Sequence, residues 1–150
     1  MKMKPMFYSE FGRSQELLYY YYDIINDFEI AIVNRATHPC GYIRVPDKML
    51  EKARKIAREM DADVDDYDNW YADVHYGLTY AKIGRPFNDN RLTEGFWIGW
   101  DYAHLGDRYG LRWHLGEKEW TTEEIFEEAL NALDSVRFYS REEREEEEEE

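Results

Sequence analysis

The sequence predicts an α+β domain, an antiparallel or mixed sheet of about four strands with two or three packed helices. Three observations predict it. Short runs of β-branched and aromatic residues recur at 28–33, 41–45, 74–81 and 96–101. Apolar stripes at helical spacing occupy 47–60 and 121–136. Aromatic residues make up 17% of the 150-residue chain and charged residues 35%, which gives core material and a highly charged surface together.

Residues 1–13 read as a loose leader. Over 14–25, Leu17, Tyr21, Ile24 and Ile25 fall at helical spacing, with Ser14 as N-cap, and a helix is expected although four consecutive tyrosines also suit a strand. Phe28, Ile30 and Ile32 alternate along a first strand. Residues 34–39 turn the chain, and Gly41-Tyr42-Ile43-Arg44-Val45 forms a second strand closed by Pro46, making a hairpin. Asp47 is expected to cap a helix that runs to about Met60. Leu50, Ala53, Ile56, Ala57 and Met60 line its apolar side, and Lys48, Lys52, Arg54, Lys55 and Arg58 its basic one.

An acidic linker follows over 61–68. Its Asp61-x-Asp63-x-Asp65 opening lacks the glycine and the twelfth-position glutamate of a calcium loop, with Asp66 and Ala72 in their places. A third strand is expected over 74–81 and a long loop over 82–95. A central fourth strand over 96–101 carries apolar residues on both parities. Residues 106–116 are irregular. Thr121 and Glu124 then form a capping box, with Trp120 and Ile125 as its staple, and Phe126, Ala129, Leu130, Leu133 and Val136 give one buried face. The domain is expected to span 1–140, with 141–150 as an acidic tail.

Net charge is −14, and the tail alone, with eight Glu and two Arg, holds −6 of it. The body is therefore acidic too, which argues against direct nucleic-acid binding and suits a basic protein partner. One cysteine, Cys40, permits no internal disulfide and reads as a small buried hydrophobe. No apolar run approaches the length of a membrane span, and no signal peptide is expected at the N-terminus, so a cytoplasmic protein is expected. A single glutamine among many charges leans toward a thermophilic source.

The candidate chemistry lies at Asp101, His104 and Asp107, directly after the fourth strand, and at His75. A helical turn after Asp101 would bring Asp101 to His104 and His104 to Asp107. An antiparallel pairing of strands 74–80 and 96–101 would bring His75 to Asp101. In an enzyme, His75 or His104 would be the general base, and Asp101 would orient it or hold a divalent metal. Thr79 and Asp107 are candidate ligand contacts. The structural alternative is that these side chains cap backbone donors in turns. No nucleotide fingerprint, phosphate loop or serine-nucleophile elbow is present, and no cofactor is indicated.

Three ordered stretches carry a resemblance: Cys40-Gly41-Tyr42-Ile43-Arg44-Val45-Pro46, Asp73-Val74-His75-Tyr76-Gly77-Leu78-Thr79-Tyr80, and Trp97 through Asp107. Together they resemble the CGY-hydrophobic-x-VP, VHGGLTY and WWIGFDCAH-x-GD pattern of an uncharacterised family common in bacteriophages and related mobile elements. His75, Asp101, His104 and Asp107 match that pattern. Tyr76 stands where it has Gly, and Tyr102 where it has Cys. The resemblance implies a viral or mobile-element accessory protein acting in the host cytoplasm. The resemblance supplies a setting and not a mechanism; the residues themselves suggest a polar small-ligand or metal pocket built by the His75 strand and the Asp101-His104-Asp107 segment. The competing expectation is a non-enzymatic acidic inhibitor or nucleic-acid mimic that engages a basic protein. A third is self-association through the aromatic N-terminus.

Overall fold

The computed structural model describes residues 17–35, 38–104, 106–107, 116–118 and 120–139. The leader, the acidic tail and most of 108–119 lie outside them. The chain folds as α+β around a five-stranded antiparallel sheet of order β1-β2-β3-β6-β5. Its strands are β1 (Leu17–Ile25), β2 (Phe28–Arg35), β3 (Pro39–Val45), β5 (Tyr80–Gly84) and β6 (Gly95–Asp101). A two-stranded ribbon pairs β4 (Trp70–Tyr71) with β7 (Arg137–Phe138). The helices are α1 (Asp47–Met60) and α2 (Thr122–Ala132).

The expected N-terminal helix is instead β1, so the sheet gains a fifth strand. The deciding feature is the two-residue turn Asn26-Asp27, with φ of 51° and 70°. Paired positive φ at the centre of a tight turn matches the right-handed twist of a hairpin, and Asn and Asp tolerate it better than most residues. Ile25 then pairs with Phe28 and the tyrosines run up the edge of β2. Their β propensity outweighs a helical spacing that rested on few residues.

The hairpin of β2 and β3 forms as expected. Helix α1 begins at Asp47, but its N-cap is Pro46 and no side chain caps it. Asp47 contributes charge in the first turn, where it suits the helix dipole. The acidic run 61–68 makes local turns: Asp63 Oδ1 accepts from Asp65 N at 3.1 Å and Asp66 Oδ1 from Asp68 N at 2.9 Å. At α2 the Thr121–Glu124 capping box is present. That helix is shorter than its sequence pattern suggests. It ends at Ala132, passes through a 3-10 turn at Leu133–Ser135, and the chain enters β7.

Both faces of the central strands β2, β3 and β6 are covered. Ile30, Ile32, Ile43, Ile98 and Trp100 pack against α1 and α2. Ala31, Val33, Tyr42 and Trp97 face the other way, under Leu92 and Phe87 of the 85–94 loop. This explains why β6 is apolar on both parities: Phe96 to Trp100 are all buried. The center is fitted by large–small pairs across β3 and β6. Gly41 sits opposite Trp100 and Gly99 opposite Tyr42. A Cβ on Gly41 would overlap the Trp100 indole, and one on Gly99 would lie 2.5 Å from Tyr42 Cδ1.

Glu29 is fully buried in β2. Its Oε2 accepts from Thr93 N at 2.9 Å, and Oε1 lies 3.5 Å from Nε of its cross-strand neighbour Arg44. This ties the loop before β6 to the sheet.

Candidate functional site

Strand β6 ends at Asp101, and the chain turns sharply there. Asp101 Oδ1 accepts from Ala103 N at 3.2 Å, the local turn that an Asp at a strand end favours. The turn leaves Tyr102 fully buried beside Trp100, whose Nε1 donates to the Tyr102 hydroxyl at 2.9 Å. Tyr102 in turn donates to Glu128 Oε1 of α2. Burial first, and then this carboxylate, push the phenol well above its ordinary value.

The expected third strand begins late. Residues 74–77 make one turn, closed by Gly77 N to Val74 O at 2.9 Å with Tyr76 and Gly77 at φ of 58° and 79°, 78–79 are irregular, and the ladder to β6 starts at Tyr80. His75 is therefore free of any ladder. It lies over the Tyr102 ring, with centroids 4.8 Å apart and planes within 12°. Its backbone N–H donates to Glu128 Oε1 at 3.1 Å.

The late start changes the expected partnership. His75 takes Asp107, not Asp101. Its Nε2 is 2.9 Å from Oδ1 and 2.8 Å from Oδ2 of Asp107. Asp107 is 2% exposed, and two further donors hold its carboxylate. Trp120 Nε1 donates to Oδ1 at 2.9 Å, and the His104 backbone N–H to Oδ2 at 3.1 Å. A carboxylate only accepts, so the His75 Nε2 carries the proton that faces it. In the neutral ring, Nδ1 is then a lone-pair acceptor.

Asp101 pairs with His104, as the spacing of three predicts. Oδ1 is 3.0 Å from His104 Nε2, close enough for an ion pair but outside hydrogen-bond geometry. Thr79 Oγ1 reaches Asp101 Oδ2 only at 3.5 Å, a weak contact. The rings of His75 and His104 are 5.6 Å apart, so all five expected residues gather in one region. Asp101 and Asp107 also cap backbone donors, so the structural role expected of such residues is present beside any chemical one. Tyr102, Glu128 and Trp120 were missed. Tyr102 entered the sequence reading only as a residue standing where the motif has Cys, and Glu128 carries no signal that separates it from the other glutamates of 121–136.

A cleft of about 590 Å³ opens beside His75. Its walls include Asp73, His75, Trp120, Glu124, Glu127 and Glu128. The volume is that of a small-ligand site, and its described lining has four carboxylates, of which Glu124 is paired with Lys118 at 2.7 Å. Lys118 and Thr121 hold the Glu124 carboxyl below its ordinary range, with Lys118 the larger influence. No group of three or more His, Cys, Asp or Glu side chains among the described residues is arranged to hold a metal ion. Cys40 is buried, as expected. No helix among them is long and apolar enough to cross a membrane.

No family model matches the chain, and no curated protein or solved structure is significantly similar to it.

Proposed function

We propose that this is an accessory protein of a virus or mobile element whose acidic cleft binds a small amine-bearing ligand, with His75 as its acid–base group. The observation that carries the reading is the two-oxygen approach of Asp107 to His75 Nε2, at the wall of a carboxylate-lined cleft. Asp107 orients the ring and stabilises the imidazolium that forms when Nδ1 takes a proton from a hydroxyl or water on the bound ligand. Glu128 and its neighbours attract the cationic end of that ligand and repel anions. Asp101 and His104 support the turn that places Asp107. The viral setting rests on the three motifs and not on the geometry.

The test is calorimetric titration of wild type and His75→Ala with small diamines and, separately, with inorganic phosphate. Saturable binding of an amine that His75→Ala loses, with none of phosphate, is expected. No amine binding, or equal binding by both proteins, overturns the proposal.

The second reading is an acidic protein that engages a basic partner. Exposed Glu123 and Glu127 on α2 favour it. It requires no role for His75, so a partner that binds His75→Ala as tightly as wild type would support it.

A further inference from the structure

Segment 73–79 has a second side. Beyond it lies a cleft of about 650 Å³ whose lining includes Tyr67, Asp68, Tyr71, Tyr76, Arg137 and Tyr139. Among the described residues it shares no lining residue with the acidic cleft. Four tyrosines in one cleft are more than the core requires, because Tyr67 and Tyr76 are 42% and 63% exposed.

Tyr76 is held at a cost. Its φ of 58° is a left-handed conformation that a bulky side chain rarely adopts. Such strain persists where surrounding contacts enforce it, and it gathers at sites of function. Here the enforcing contact is visible: the Tyr76 ring stacks on His104, with centroids 4.3 Å apart and planes within 11°. One face of an exposed aromatic ring is thus fixed at the lip of the cleft. Glycine, which adopts this backbone freely, stands at this position in the pattern that the sequence resembles.

Across the cleft, Arg137 packs against two more rings. Its guanidinium carbon is 5.1 Å from the Tyr71 centroid and 4.9 Å from that of Tyr139. These contacts pre-order a flat, multi-donor group, which lowers the entropy lost when it binds an acceptor.

We infer that this cleft binds a flat heteroaromatic ring with hydrogen-bond acceptors on its edge, the chemistry of an uncharged nucleoside. The ring stacks on the tyrosines, and Arg137 donates to its edge, as arginine does to the acceptor edge of guanine. Asp68 supplies an acceptor for ring N–H groups. A protein of net charge −14 disfavours the phosphates of an oligonucleotide, so the small uncharged form is the ligand.

The test uses the full chain, ligand-detected NMR and the four ribonucleosides, with ribose as a ringless control and a short oligonucleotide as the charged arm. Saturable binding of at least one nucleoside, and not of ribose, is expected. Tyr76→Gly should weaken it about tenfold, the usual worth of one stacked ring, and Arg137→Ala should weaken it too. Tyr76→Gly suits the local backbone, and an unchanged circular dichroism spectrum will show that it folds. A small diamine should not displace the nucleoside, which separates this cleft from the acidic one. Absence of nucleoside binding, binding unchanged in Tyr76→Gly, or preference for the oligonucleotide overturns the inference.

Discussion

Nε2 of His75 approaches both carboxylate oxygens of Asp107, 2.9 and 2.8 Å away, across 32 residues of chain. That pair joins the turn before β5 to the turn after β6. It has a mechanical consequence beside any chemical one. Asp107→Asn would place an amide N–H₂ against three N–H donors in a nearly dry site. Leaving buried donors unsatisfied costs about 1–3 kcal/mol, and with the His75, Trp120 and His104 donors all affected the loss should lie at the upper end of that range. Urea unfolding at neutral pH should show that loss. A variant within about 0.5 kcal/mol of wild type, the range of an ordinary surface substitution, would mean that the pair contributes nothing.

Tyr102 gives the site a pH dependence of known sign. Its phenol is raised by burial and by Glu128, whereas in the unfolded chain it ionises near pH 10. The unfolded state therefore releases this proton first as pH rises. The stability that depends on neutral Tyr102 is complete below about pH 10 and falls above it. Tyr102→Phe strands the Trp100 N–H and should cost about 1–3 kcal/mol at pH 8. The gap between variant and wild type should narrow as denaturation is repeated at pH 10 and 11. A constant gap would contradict the assignment.

The sheet center offers a prediction independent of the site. Gly41→Ala forces a methyl into the Trp100 indole, and β3 is held on both edges by β2 and β6. Overpacking of this kind costs about 1–3 kcal/mol. The indole also positions Tyr102, so loss of stability should be accompanied by a changed near-ultraviolet circular dichroism signal. Gly106→Ala, whose φ is 94° and whose Cβ would meet nothing within 4 Å, should lose stability through backbone strain alone. It should leave that signal unchanged.

Much of the fold was legible because it rests on local pattern. The alternation in β2 and β3, the two-sided burial of β6, the stripe of α1 and the Thr121–Glu124 box are all readable from spacing. The first strand was not, because its identity depends on a turn at Asn26-Asp27 that pairs it with β2. Four tyrosines in a row serve helix and strand equally until a neighbour decides. The ribbon of β4 and β7 was invisible for a similar reason: two-residue strands carry no periodicity. At the site, the Asp101–His104 contact followed from a spacing of three. His75–Asp107 did not, because it depends on a turn at 74–77 that keeps His75 out of the sheet. Glu128 could be singled out only once α2 was packed beside Tyr102.

An acid–base role for His75 depends on which of its nitrogens faces Asp107. Long-range ¹H–¹⁵N NMR correlation of the neutral imidazole, on wild type and Asp107→Asn, reads this directly. The account predicts a neutral His75 protonated at Nε2, with Nδ1 showing the shift of an unprotonated nitrogen, and loss of that single tautomer in Asp107→Asn. A His75 protonated at Nδ1, or a mixture of tautomers unaffected by Asp107→Asn, would contradict it.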